Sequence, residues 1–150
     1  MKRIIAVVGP SKPDPETKRR AFIAGRAVAE AGFILATGGL GGAMYHASRG
    51  AKEAGGTVIG ILPGKEPDRA NRYADIVLAT GFGYMRNFLL VNVSRGAIAV
   101  GMSPGTLTEV AWALRGGVPV FGFMPPYPGL EMPFSEDKND LVRFLERLCR

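Results

Sequence analysis

The sequence contains little of what disulfides and metal clusters require. Its 150 residues include one cysteine, Cys149, and one histidine, His46. One cysteine cannot form an intramolecular disulfide or a cysteine-based metal cluster, and a lone histidine cannot hold a metal ion by itself. We therefore predict no metal site. A chain with so little cysteine is typical of a reducing compartment, so the cytoplasm is the expected location.

Long apolar runs and long runs of one charge are also missing. The first apolar run, residues 4–8, is too short for a signal-peptide core or a membrane span. The net charge is +6 without a block of like charges, and the aromatic residues are scattered. A nucleic-acid-binding tail or stacking groove is therefore not expected, nor is a membrane partner. The positive charge agrees with an anionic small-molecule ligand, and equally with an arginine-rich surface.

Apolar segments of strand length recur along the chain, at residues 4–8, 33–36, 58–62, 76–79, 97–100 and 118–123. They are continuous rather than alternating, which is typical of strands covered by helices on both faces. Helical patterns lie between most of them, at residues 16–31, 42–54, 84–95, 107–115 and 137–149. This alternation predicts an α/β, three-layer Rossmann-like fold with a mostly parallel sheet and helices on both faces. Residues 1–150 would form a single domain.

Two features of the predicted helices concern packing. Asp14 and Pro15 suit the N-cap and first position of the first helix. The third predicted helix, at residues 84–95, is apolar on most sides over Phe88–Ser94, which indicates either a central position or contact with a second subunit. Trp112 and Leu114 in the next helix are expected in the core.

Glycines and polar residues follow four of the predicted strands, in residues 9–15, 37–44, 80–87 and 101–110. In an open parallel sheet the carboxyl ends of the strands meet at one edge, and ligands bind there. We therefore predict a phosphate or nucleotide site at this edge. Its candidate binding residues are Gly9, Ser11, Gly38, Gly39, Gly41, Gly42, Met44, Arg86, Asn87, Ser103, Gly105 and Thr106.

The glycine cluster at residues 38–42 would let backbone N–H groups approach an anion at a helix start. The alternative is a tight turn with close helix–strand packing. The dinucleotide pattern G-x-G-x-x-G is not met, because Met44 occupies its last position, so a usual NAD site is disfavoured and no resident cofactor is predicted. Arg86 at the start of a helix would hold an anion in bidentate fashion, unless it is a surface arginine.

Glu109 has two interpretations. Thr106 and Glu109 match the S/T-x-x-E capping box, in which Thr106 caps the helix and Glu109 reaches back to the amide of Thr106. A carboxylate in the first turn of this helix would also point at the strand-end crevice and could take part in catalysis. The sequence leaves both roles open.

Together these residues resemble the Lonely Guy family, also labelled lysine decarboxylase-like. The family motif GGxxGxM is matched by Gly38, Gly39, Gly42 and Met44, and PGGxGTxxE is matched by Gly105, Thr106 and Glu109. The arginine of MHxRK falls on Arg86. The resemblance runs from Ile4 to about Phe123.

The sequence also departs from the family pattern. Residues 101–103 are Gly-Met-Ser rather than Pro-Gly-Gly, and Tyr84 and Asn87 replace the histidine and lysine of MHxRK. The chain is more similar to a small-protein branch of this superfamily that is related to molybdenum cofactor carrier proteins, through its segments 61–64 and 79–87.

The resemblance implies two functions. One is a nucleoside 5′-monophosphate phosphoribohydrolase that releases free base and ribose 5-phosphate, with Glu109 and Arg86 as catalytic residues. Glu109 would stabilise the oxocarbenium-like transition state and activate water. The alternative is a non-catalytic carrier or sensor of a phosphorylated pterin, the molybdenum cofactor, or of a nucleotide. The family also forms homodimers through the region of residues 84–95, so a homo-oligomer is expected.

Overall fold

The computed structural model describes residues 3–150, and six of its strands form one parallel sheet. The strands are β1 (Ile4–Val8), β2 (Ile34–Thr37), β3 (Val58–Leu62), β4 (Ile76–Ala79), β5 (Gly96–Ala99) and β6 (Val120–Gly122). The helices are α1 (Pro15–Glu30), α2 (Ala43–Glu53), α3 (Arg86–Asn92), α4 (Pro104–Arg115) and α5 (Lys138–Leu148). Single 3₁₀ turns span Pro67–Arg69 and Gly83–Met85. Every predicted strand is present, with bounds shifted by two residues or fewer.

The strand order is β4-β3-β2-β1-β5-β6, and all five neighbouring pairs are parallel. The chain runs outward from β1 to β4, then returns to place β5 on the other side of β1. In register, Ala6 of β1 pairs with Ala36 of β2 and with Ala97 of β5. The carboxyl ends of β1 and β5 therefore flank the point where the strand order reverses, which is where open α/β sheets form a crevice.

The core has two parts, one on each face of the sheet. Ile5, Val7 and Leu35 point to the face covered by α1, α2 and α5, and their side chains are buried. Ala6, Val8 and Ile61 point to the face covered by α3 and α4. The alternation along β1 separates the two parts, because successive side chains of a strand point to opposite faces. The predicted three-layer Rossmann-like fold is confirmed.

Two expectations about burial are wrong. The edge strand β4 is not covered on both faces, since Ile76 and Leu78 are each 46% exposed. The connection from β3 to β4 contains only a 3₁₀ turn and no crossover helix that would cover this strand. Trp112 and Leu114 are not in the core either. They lie on the outer side of α4 with 42% and 39% of their surfaces exposed.

The third helix is shorter than predicted, because residues 83–85 form a 3₁₀ turn and α3 begins at Arg86. Leu90 and Val91 are buried against the sheet, and Phe88 at its outer side contacts Trp112 edge-to-face at 4.9 Å between ring centroids. No helix within residues 3–150 combines the length and apolar character needed to cross a bilayer.

Candidate functional site

A cavity of about 360 Å³ lies at the carboxyl ends of β1 and β5. The segments that follow β1, β2 and β5 contribute to its wall together with the start of α3. The predicted site residues that line it are Gly9, Ser11, Gly38, Met44, Arg86, Asn87, Ser103, Gly105, Thr106 and Glu109. The four chain segments singled out in the sequence meet at one edge of the sheet. The binding role of these residues stays a prediction.

Gly39, Gly41 and Gly42 do not line this cavity, and the part of the glycine loop at Gly39 and Gly42 is engaged in packing. The N–H of Gly39 donates to Oγ1 of Thr37 at 3.0 Å, and the N–H of Ala43 donates to the carbonyl of Pro10 at 3.0 Å. A Cβ on Gly42 would collide with the backbone of Ser11. Two amides that an anion cradle here would use are therefore occupied, and close packing accounts for Gly42.

The start of α4 is a better place for an anion. Ser103 is the N-cap, and its Oγ accepts from the N–H of Thr106 at 3.3 Å. Its hydroxyl also lies 3.0 Å from Oγ1 of Thr106. Pro104 at the first position has no N–H, and the N–H of Gly105 is one of the amides that a helix start leaves without an intrahelical acceptor. A Cβ on Gly105 would meet no atom within 4 Å, so its backbone is open to a ligand.

The predicted capping box is wrong. Ser103, not Thr106, caps α4, so the helix begins three residues earlier than predicted. Glu109 consequently lies in the second turn of the helix and not in the first. It does not form the reciprocal bond to the amide of Thr106, which donates to Ser103. Ser103 followed by Pro104 is the signal in the sequence that marks this start.

The side chain of Glu109 lines the cavity, and its carboxyl accepts no hydrogen bond from the described residues. Only 8% of the residue's surface is exposed. Burial raises the pKa of Glu109 from 4.5 to about 8, and the nearby charge of Arg86 offsets only part of this rise. At neutral pH the carboxyl is therefore mostly protonated, and can both donate and accept a hydrogen bond.

Arg86 is held by the backbone of two strand ends. Its Nη1 donates to the carbonyl of Gly38 at 2.6 Å and to the carbonyl of Ile61 at 2.8 Å. Its Nε is buried and has no acceptor among the described residues. Burial lowers the pKa of Arg86, while Glu109 acts in the opposite direction. A bidentate clamp that uses Nη1 would break both carbonyl bonds, so the geometry supports a fixed positive charge at the cavity wall.

Asn87 connects the two helices that border the cavity. Its Nδ2 donates to Oγ1 of Thr108 at 3.1 Å, and that hydroxyl donates to the carbonyl of Gly105. Asn87 is 7% exposed. The chain of bonds fixes the start of α3 against the first turn of α4, and so fixes Arg86 relative to Gly105.

Sequence reasoning missed five residues of the cavity wall: Val7, Val8, Leu40, Tyr84 and Pro104. The position of Val7 and Val8 at the end of β1 was available as a signal, since the strand ends at this edge. In the sequence, Tyr84 is distinguished only by its departure from the family motif. The structure shows it 94% exposed at the mouth of the cavity.

The assembled site has a positive wall and a protonated acid. The start of α4 and Arg86 both favour negative charge, since the amides at a helix start carry partial positive charge. A carboxylate would repel an anionic group, whereas a protonated Glu109 would donate a hydrogen bond to it. The geometry therefore suits a phosphorylated small molecule of which another part contacts Glu109.

Comparison with known proteins places the chain among small proteins of this fold. A protein of Archaeoglobus fulgidus described as uncharacterized is 44% identical over 140 residues, which is 93% of this chain and 92% of that protein. The structure of the molybdenum cofactor binding protein from the phototrophic bacterium Rippkaea orientalis is 33% identical, with a TM-score of 0.93 over 100% of this chain and 99% of that one.

A second solved structure, the molybdenum cofactor carrier protein of Chlamydomonas reinhardtii, is 36% identical with a TM-score of 0.88, and 99% of each chain is covered. The model of one family, the SLOG cluster4 family, matches residues 2–146. This match covers nearly the whole sequence, so the chain belongs to the SLOG cluster4 family.

Proposed function

We propose that this protein binds a phosphorylated pterin, the molybdenum cofactor, and carries it without chemical change. The observation that supports this most is the position of Glu109, whose side chain is buried at the cavity wall with Arg86 in the same wall, and burial raises the pKa of Glu109 to about 8. A carboxyl that keeps its proton at neutral pH is suited to hydrogen bonding with a ligand. The likeness to proteins described as binding or carrying the molybdenum cofactor points the same way.

The phosphate of the cargo would bind at the start of α4. The donors there are the Gly105 N–H and one hydroxyl of the Ser103–Thr106 pair, because the other hydroxyl proton is used in the bond between them. The positive charge of Arg86 adds to the attraction. A phosphate group with two negative charges is therefore stabilised by the donors at the helix start and by the charge of Arg86. The molybdenum would arrive as part of the cargo.

The second candidate is hydrolysis of a nucleoside 5′-monophosphate. It is favoured by one observation, that Arg86, Gly105, Thr106 and Glu109 of the Lonely Guy motifs line the same cavity. This reaction needs negative charge near the ribose to stabilise the oxocarbenium-like transition state. A protonated Glu109 supplies none at neutral pH, and the motif histidine and lysine are replaced by Tyr84 and Asn87.

Incubation with AMP separates the two candidates. Purified protein is incubated with AMP at pH 7 and pH 9, and ribose 5-phosphate is measured enzymatically, with Glu109→Gln as the matched variant. A carrier releases no ribose 5-phosphate at either pH. Turnover that increases from pH 7 to pH 9 and disappears in Glu109→Gln would instead establish the hydrolase.

We also propose that the protein forms a homo-oligomer. Several large apolar side chains remain exposed around α3, α4 and the neighbouring edge of the sheet: Ile76, Leu78, Phe82, Tyr84, Met85, Phe88 and Trp112. Exposed apolar side chains in such number mark contact surfaces. A second copy of the chain is the partner that the family resemblance implies.

A further inference from the structure

A second, smaller cavity adjoins the candidate site across the glycine loop at residues 38–42. Its volume is about 200 Å³, and its wall consists of Leu40, Leu62, Pro63, Gly64, Glu66 and Arg69. Leu40 lines both this cavity and the larger one. A ligand that fills both cavities therefore has to pass this side chain. Together the two volumes fall within the range of about 300–1,000 Å³ that is typical of small-molecule sites.

The two loops that enclose the smaller cavity are fixed to each other. Nδ2 of Asn71 donates to the carbonyl of Leu40 at 2.9 Å, and the N–H of Asn71 donates to the carbonyl of Gly39 at 2.8 Å. On the other side, the N–H of Gly81 donates to the carbonyl of Gly64 at 2.9 Å. These bonds keep the cavity preformed, so a ligand would not have to order its walls.

The wall combines apolar surface with one ion pair. Leu40, Leu62 and Pro63 form the apolar part, which suits the flat face of a heterocyclic ring. Glu66 and Arg69 lie at the rim, with 3.3 Å between Oε2 of Glu66 and Nε of Arg69. Their side chains are 68% and 77% exposed, so little free energy is lost when this pair rearranges around a ligand.

We propose that the smaller cavity is the subsite for the heterocyclic ring of the ligand, and that Glu66 and Arg69 recognise the edge of that ring. The inference rests on the proposed function, because the phosphate is placed at the start of α4. A pterin has two adjacent N–H donors, from its 2-amino group and its ring nitrogen, followed by a carbonyl acceptor. The carboxylate of Glu66 can accept from both donors, and the guanidinium of Arg69 can donate to the carbonyl.

This pattern of donors and acceptors selects among rings. Guanine presents the same donor–donor–acceptor edge as a pterin, hypoxanthine lacks the 2-amino group, and adenine presents a different edge. Removal of one hydrogen-bonding group from a ligand leaves a polar group of the protein without its partner, which lowers affinity. The subsite therefore predicts that GMP binds more tightly than IMP, although both carry the same phosphate.

The test is a calorimetric titration of the protein with GMP, IMP and inorganic phosphate. We expect GMP to bind about tenfold more tightly than IMP, which corresponds to about 1.4 kcal/mol. In Glu66→Gln this preference should fall to less than twofold, with phosphate affinity unchanged. Glu53→Gln is the matched control, because Glu53 is also an exposed glutamate beside an arginine, with 3.8 Å between its Oε2 and Nε of Arg49. It is the last residue of α2, at the end of this helix away from the glycine loop. Glu53→Gln should keep the full preference.

Three results would overturn the inference in ways that can be told apart. Equal affinity for GMP and IMP in the unchanged protein would eliminate edge recognition and leave the phosphate site intact. An undiminished preference in Glu66→Gln would place recognition elsewhere. Absence of binding by GMP, IMP and phosphate alike would contradict the phosphate site on which the proposed function depends.

Discussion

Gly38 leaves the space that the guanidinium of Arg86 occupies. A Cβ on Gly38 would collide with Nη1 of Arg86 and would lie 2.5 Å from Sδ of Met44, while the carbonyl of the same residue accepts from Nη1 at 2.6 Å. Gly38 therefore fixes the charge of Arg86 at the cavity wall in two ways: it has no side chain to displace the guanidinium, and its carbonyl accepts a hydrogen bond from Nη1. The sequence predicts that Gly38 contacts a phosphate, and the structure shows that it positions the side chain of Arg86.

Gly38→Ala should displace Arg86 and weaken ligand binding. An added methyl group in a packed region typically costs about 1–3 kcal/mol of unfolding free energy, and the displaced charge would lower affinity for phosphorylated ligands as well. Gly41→Ala is the matched control, because a Cβ there would meet no atom within 4 Å and its φ is not positive. Urea denaturation and phosphate titration measure both effects. Equal behaviour of the two variants would show that Arg86 is not positioned by Gly38.

Glu109 should make stability depend on pH. Its pKa is about 8 in the folded protein and near 4.5 in the unfolded chain. Between these values the folded state binds more protons, so the free energy of unfolding falls as pH rises, by at most about 1.4 kcal/mol per pH unit. Glu109→Gln should lose this decline between pH 5 and pH 8.

The quantity to measure is the difference in free energy of unfolding between the unchanged protein and Glu109→Gln. Urea denaturation at pH 5.5, 6.5 and 7.5 gives it, and subtraction removes the opposite contribution of His46, whose pKa is lowered by burial. Stability curves that stay parallel across this range would show that Glu109 is ionised in the folded protein. The hydrolase candidate would then regain its catalytic carboxylate.

Ser103→Ala should affect both the helix and the ligand. Loss of an N-cap hydroxyl costs about 1 kcal/mol, and Ser103 also contributes its Oγ to the cavity wall. Asp14→Ala is the comparison, because Asp14 caps α1 and accepts from the N–H of Thr17 at 2.8 Å, outside the cavity. Thermal melts should show similar losses for both variants, and phosphate titration should show a loss for Ser103→Ala alone. A ligand affinity that Ser103→Ala leaves unchanged would remove the start of α4 from the phosphate site.

Trp112→Glu should disrupt the proposed homo-oligomer. Trp112 is 42% exposed beside Phe88, and a charge at this position would be buried in an interface formed by this side of α4. Light scattering after size-exclusion chromatography should give a smaller mass than for the unchanged protein. Asn139→Glu, at an exposed position near the start of α5, should keep the original mass. A monomeric unchanged protein would refute the oligomer directly.

The sequence predicted the sheet well, because continuous apolar runs separated by helical patterns allow few other arrangements. Asp14 followed by Pro15 also located the start of α1. The same signal, Ser103 followed by Pro104, marks the start of α4, whereas the S/T-x-x-E match at Thr106 predicts a start three residues later. Local patterns compete, and only the complete helix shows which hydroxyl reaches an amide.

The positions of Arg86, Glu109 and Trp112 depend on contacts between distant parts of the chain, which local patterns do not show. Arg86 donates to carbonyls 48 and 25 residues away, and Glu109 owes its raised pKa to burial by several elements. The exposure of Trp112 was equally hidden, because α4 is apolar on more than one side and periodicity alone does not show which side faces the sheet.

The most direct test is a titration with an oxidised fluorescent pterin that carries a side-chain phosphate, compared with the same pterin after phosphatase treatment. We predict saturable binding of the phosphorylated form, at least tenfold weaker binding after the phosphate is removed, and recovery of the bound pterin unchanged after denaturation. Equal affinity for both forms, or recovery of a cleaved product, would contradict a carrier that holds its cargo by the phosphate.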